Sequence, residues 1–162
     1  MQIQNRIIDE LSNDFFDKIL DGDIFIENCI IKKLECFSLT FRGSLTVRNC
    51  LIEEFRLITA FFDGGFSLKG NVVLSDADFQ AIHNYKKMEV EGNVFHGFFK
   101  FFDCIFEAPL EVRDNVFLKG SDLLVKGDVD NSFYEGVIAE NNIGTLDASN
   151  VVKNSDEEKN SN

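Results

Sequence analysis

An all-β solenoid, wound into about six coils of 21–22 residues, is the fold that the sequence predicts. Two observations predict it: a hexad that keeps returning, and a small turn-forming residue at the same place in each return. The hexads are IFIENC from Ile24, LTVRNC from Leu45, FSLKGN from Phe66, MEVEGN from Met88, LEVRDN from Leu110 and VIAENN from Val137. Their starts lie 21, 21, 22, 22 and 27 residues apart. A repeat of that length is one coil, which buries its apolar side only against its neighbours.

Within the hexad the first and third residues are apolar and the second and fourth mostly polar, the alternation of a strand with one buried face. The fifth residue is Asn28, Asn49, Gly70, Gly92, Asp114 or Asn141. These types enter the left-handed backbone region at least steric cost. They make up only 41 of 162 residues, so six occurrences in six coils mark a required turn. The sixth residue is Cys29, Cys50, Asn71, Asn93, Asn115 or Asn142. Stacked in register about 4.8 Å apart, such side chains can form an asparagine ladder that ends in two cysteines; the alternative is that each Asn only shapes a turn.

A second corner carries Leu20, Phe41, Phe62, Phe106 or Phe133 four residues before a hexad, with Asn84 the exception. A third apolar stretch lies about thirteen residues after each hexad start, as in FSLTF at 37–41, ITAFF at 58–62, KFFDCIF at 100–106 and LLV at 123–125. Three short strands per coil describe a parallel β-helix.

In coil length and Asn ladder the chain resembles single-stranded right-handed parallel β-helix proteins of the pectate lyase-like kind. The resemblance covers about residues 21–147. FFDCIFEAPLEVRDNVF is also similar in texture to pentapeptide-repeat proteins, without their five-residue period. A likeness of architecture implies little about activity.

The expected domain plan is an N-terminal helical cap at 1–20, the β-helix at 21–147 and a flexible polar tail at 148–162. The cap rests on Ile3, Ile7, Ile8, Leu11, Phe15, Phe16, Ile19 and Leu20, whose spacing fits an amphipathic helix laid across the first coil. Departures from the pattern at 75–87 and 126–136 are the candidate loops, the first bringing His83, Tyr85, Lys86 and Lys87 together.

After each ladder position come two apolar residues: Ile30-Ile31, Leu51-Ile52, Val72-Val73, Val94-Phe95 and Val116-Phe117. Adjacent strand residues face opposite ways. One column is therefore exposed and adhesive, or a bend at the corner hides both. The fourth hexad position, Glu27, Arg48, Lys69, Glu91, Arg113 and Glu140, is mostly of alternating sign and pairs with itself.

The net charge of −12 argues against direct nucleic-acid contact and is compatible with a basic protein partner or with solubility alone. No apolar run reaches the length of a membrane span and no secretory signal is evident, so a cytoplasmic location is expected. The four cysteines, Cys29, Cys36, Cys50 and Cys104, lack metal-ligand spacing and read as core thiols.

His83 and His96 lack a partner at ligand spacing, and the carboxylate pairs Asp76/Asp78 and Glu53/Glu54 read as solvated. No catalytic, metal or cofactor residues are assigned. The expected function is a non-enzymatic interaction or scaffold protein presenting an acidic solenoid to a protein partner. Two alternatives stand beside it. One is self-assembly through an end coil or the apolar column, as in bactofilin-like β-helices, and the other is a carbohydrate-active enzyme.

Overall fold

The computed structural model describes residues 1–16, 19–126 and 131–148, and among these every regular element is a strand. The fold is a parallel β-solenoid. Its first sheet stacks seven parallel strands: Gln2–Gln4, Ile24–Glu27, Leu45–Arg48, Phe66–Lys69, Met88–Glu91, Leu110–Arg113 and Val137–Glu140. Coils are numbered 1 to 7 below by these strands. The second sheet begins with the long strands Ile7–Ser12, Ile30–Phe37 and Leu51–Ile58. Later coils split this strand in two, as Val72–Val73 with Ala77–Gln80 and Val94–Phe95 with Phe99–Phe102. Six two-residue strands, from Ile19–Leu20 to Ser132–Phe133, make the third.

The register keeps equivalent residues above one another, so alternation becomes columns. Ile24, Leu45, Phe66, Met88 and Leu110 form one inward column, each at most 2% exposed. In the third sheet Phe41 stacks on Phe62 with ring centres 5.0 Å apart, and Phe106 on Phe133 at 5.2 Å. Asn84 stands between these two pairs, fully buried, its Nδ2 donating to the Lys86 carbonyl and its Oδ1 without a partner.

Glycine is required where coils close on one another at the corner before the first sheet. A Cβ on Gly43 would overlap the Gly22 carbonyl group, and one on Gly64 would overlap that of Gly43, whereas Gly22 faces open space.

The helical cap expected at 1–20 is corrected: residues 1–12 are the strands of coil 1. Gln2–Gln4 pairs with 25–27, and Ile7–Ser12 pairs with 30–35. Asn5, at φ +54°, makes the same left-handed turn as Asn28, which no helix accommodates. The apolar spacing arises because Ile3, Leu11 and Leu20 point into the solenoid from three different strands. Phe16 closes that end. The Ser12 carbonyl accepts from the N–H groups of Phe15 and Phe16 at 2.9 and 3.2 Å, and the turn lays the buried Phe16 ring edge-on over Phe41.

Of the irregular segments, 75–87 stays in register, contributing strands Ala77–Gln80 and His83–Asn84. Its oddity is one extra residue, 74–76 standing where coil 3 has 53–54. Residues 127–130 of the expected loop at 126–136 lie outside the described residues, as do 149–162 of the expected tail. Among the described residues no helix is long and apolar enough to cross a membrane.

Candidate interaction face

The corner between the first and second sheets is built by the two turn positions. Asn28, Asn49, Gly70, Gly92, Asp114 and Asn141 all have φ between +52° and +66°. That conformation turns the chain sharply enough to bring the next residue inward. Asn71, Asn93 and Asn115 are at most 1% exposed. The Nδ2 of each donates to the Oδ1 of the next at 3.0 Å, ending on Asn142, and also to a carbonyl of the preceding coil: Val47, Leu68 and Val90 respectively. Backbone N–H groups of Asn71, Asn93 and Asn115 donate to the same Oδ1 atoms at 2.9–3.1 Å.

Toward the N-terminus sulfur takes over. The Cys50 N–H donates to Asn71 Oδ1 at 2.9 Å, the Cys29 N–H donates to Cys50 Sγ at 3.4 Å, and the Cys29 thiol donates to the Ile3 carbonyl. Burial pushes the Cys50 thiol up to about 11, and the Cys36 and Cys104 thiols up to about 12. All four cysteines are free and buried.

This ladder holds the residues that follow it at fixed height, and of each apolar pair the first points out. Ile7, Ile30, Leu51, Val72, Val94, Val116 and Ile143 are paired Cα to Cα in one outward column. Ile7 is 75% exposed, Ile30 47%, Leu51 37% and Ile143 66%, with the three valines between them half-buried. Their successors Ile31, Ile52, Val73, Phe95 and Phe117 are at most 3% exposed. The corner hides one column and leaves the other in water.

Two columns border the strip. On the second sheet the residues are Asp9, Lys32 and Glu53 in coils 1–3, then Leu74, His96 and Leu118 in coils 4–6, with Leu74 44% and Leu118 59% exposed. The apolar face therefore widens toward the C-terminal coils. Across the turn runs the charged rail: Arg48 pairs with Glu27 at 2.6 Å, Lys69 with Glu91 at 3.2 Å and with Glu89 at 3.1 Å, and Arg113 with Glu140. Lys87 bridges Glu89 and Glu111 at 3.0 Å each, so the first sheet satisfies much of its own charge.

A second outward column, Phe37, Ile58, Gln80 and Phe102, is shorter, is interrupted by Gln80 and is partly covered by the Arg56 guanidinium, 5.9 Å above the Phe37 ring. The polar candidates are engaged locally. His83 stacks on Tyr85 at 4.1 Å and meets Glu107 through Nε2 at 3.1 Å. The carboxylate of Asp76 accepts from the Phe98 N–H at 2.8 Å, and Asp78 accepts from the Gln80 amide. Among the described residues no group of three His, Cys, Asp or Glu side chains is gathered as a metal would require.

The class defined is a parallel β-solenoid with a rigid apolar strip on its outside. No family model matches the chain, and no curated protein or solved structure shows a significant match to it.

Proposed function

We propose that the chain is a non-enzymatic interaction or scaffold protein that docks through the apolar strip. One observation carries this reading: seven consecutive outward positions, one per coil, are Ile, Leu or Val, where the neighbouring rail holds Gln4 in coil 1 and a charged residue in each of coils 2–7. Contiguous exposed apolar surface on a soluble protein marks an interface. Because the ladder fixes the strip, docking costs little ordering of the chain. The net charge of −12 is compatible with a partner that is basic around the contact and equally with solubility alone, and four free buried thiols favour a reducing, cytoplasmic setting.

The test is a comparison of partner capture by the wild-type chain and by Ile30→Asp/Leu118→Asp, two changes at exposed positions. Loss of capture with unchanged thermal unfolding supports the reading. Equal capture by both, or turnover of an acidic polysaccharide that a single surface carboxylate change abolishes, overturns it.

A further inference from the structure

Resting on that reading, we infer that the strip's occupant is a second copy of this chain, packed face to face and antiparallel about a two-fold axis through coil 4. Three features converge on this arrangement. The strip and its apolar neighbours leave roughly 650 Å² open, at about 200 Å² for a fully exposed Leu or Ile, close to the ~800 Å² that each partner of a standard interface buries.

The second feature is the rail. A two-fold axis along the strands sets coil n of one copy against coil 8−n of the other, rail against rail, as an isologous contact requires. Glu27 then meets the partner copy's Arg113, and Arg48 meets its Glu91, all opposite in sign. Moving the axis half a coil either way sets Glu27 against Glu140 and Arg48 against Arg113, or Glu27 against Glu91 and Arg48 against Lys69. Every one of those pairs is like in charge, the one opposite pair made by either shift being Lys69 with Glu91 in the first. Lys69 meets its own counterpart at the axis, each already held by Glu89 and Glu91.

The third is the opposite border. The same operation puts Leu74 on its own counterpart at the axis, Leu118 against the alkyl stem of Lys32, and His96 against Glu53. Aligning the copies in parallel would set Glu27 against Lys32 and Arg48 against Glu53 but would press the ion-paired Lys69 and Arg113 onto Leu74 and Leu118, covering both exposed leucines with charged groups and leaving Leu74 no apolar partner.

The experiment uses the full chain. Sedimentation over a wide concentration range is expected to show a mass rising from 18.4 kDa toward twice that value. Leu74→Asp, placing two carboxylates together at the axis, is expected to weaken association at least 100-fold with unchanged thermal unfolding. Under mild oxidation Leu74→Cys is expected to cross-link to itself, and Ile30→Cys only to Val116→Cys in a mixture, the native thiols being buried. A wild-type chain that stays monomeric, a dimer indifferent to Leu74→Asp, or Ile30→Cys cross-linking to itself would overturn the inference. If such a chain still captures another protein through the strip, and Ile30→Asp/Leu118→Asp abolishes that capture, only the two-fold dimer fails. If capture is indifferent to the strip as well, the docking reading fails with it.

Discussion

The side-chain amide of Asn93 donates to Oδ1 of Asn115 at 3.0 Å, two fully buried residues joined across 22 positions of sequence. Asn93 also donates to the Leu68 carbonyl, and its own Oδ1 accepts from the backbone and the side chain of Asn71. Replacing it with Leu leaves several buried polar groups without partners, each costing about 1–3 kcal/mol. Asn93→Leu is therefore expected to destabilise the fold by about 3 kcal/mol or more, measured by urea denaturation. A loss below about 0.5 kcal/mol would mean that the ladder is ornamental.

The glycine column predicts an asymmetry. Gly43→Ala forces its methyl into the carbonyl group of Gly22, while Gly22→Ala meets nothing within 4 Å. Gly43→Ala is expected to cost about 1–3 kcal/mol, the usual penalty for overpacking, and Gly22→Ala is expected to be nearly neutral. Parallel thermal melts of the two variants test it, and equal melting temperatures would contradict the close approach.

Asn84 predicts a gain. Its Oδ1 is buried and unpartnered between Phe62 and Phe106, and its amide serves only the carbonyl of Lys86. Asn84→Leu removes the desolvation penalty at similar volume and should stabilise the protein by about 1–2 kcal/mol. A denaturation midpoint that falls would show that the amide holds an interaction worth more than its burial costs.

The thiols predict a chemical readout. Reaction proceeds through the thiolate. Burial raises the Cys50 thiol to about 11 and those of Cys36 and Cys104 to about 12, so at pH 8 the charged form is scarce as well as shielded. A thiol-reactive dye is expected to label the native chain slowly, and to label all four cysteines promptly in denaturant. Fast labelling of the native protein would place at least one thiol at the surface.

The solenoid was legible because a required left-handed turn allows only a few residue types, and because strand alternation survives from coil to coil. Coil 1 was misread as a helix for an equally physical reason. Apolar residues on two strands and on both faces, inward Ile3 and Leu11 with outward Ile7, together imitate helical spacing, and Arg6 occupies the place where the later coils put Cys or Asn. The signal that was there is QIQNRII beside FIENCII, with Asn5 aligned to Asn28.

The strip was half legible. The paired apolar residues announced two columns, but whether the corner buried both depends on how far the chain rotates between Asn93 and Phe95, and no residue type encodes that angle. The fit between Glu27 and Arg113, five coils apart in chain order counting both, appears only once register assigns every side chain a height.

Since Asn71 donates back to the Val47 carbonyl and forward to Asn93 Oδ1, each inner lap is fastened by the laps on both of its sides. During synthesis a coil leaving the ribosome docks on the lap before it, but its other edge finds no native mate until roughly twenty further residues have emerged, so the newest lap always waits with one edge bare. Growth is directional, and the moment of greatest exposure to misassembly travels along the nascent chain with the advancing end.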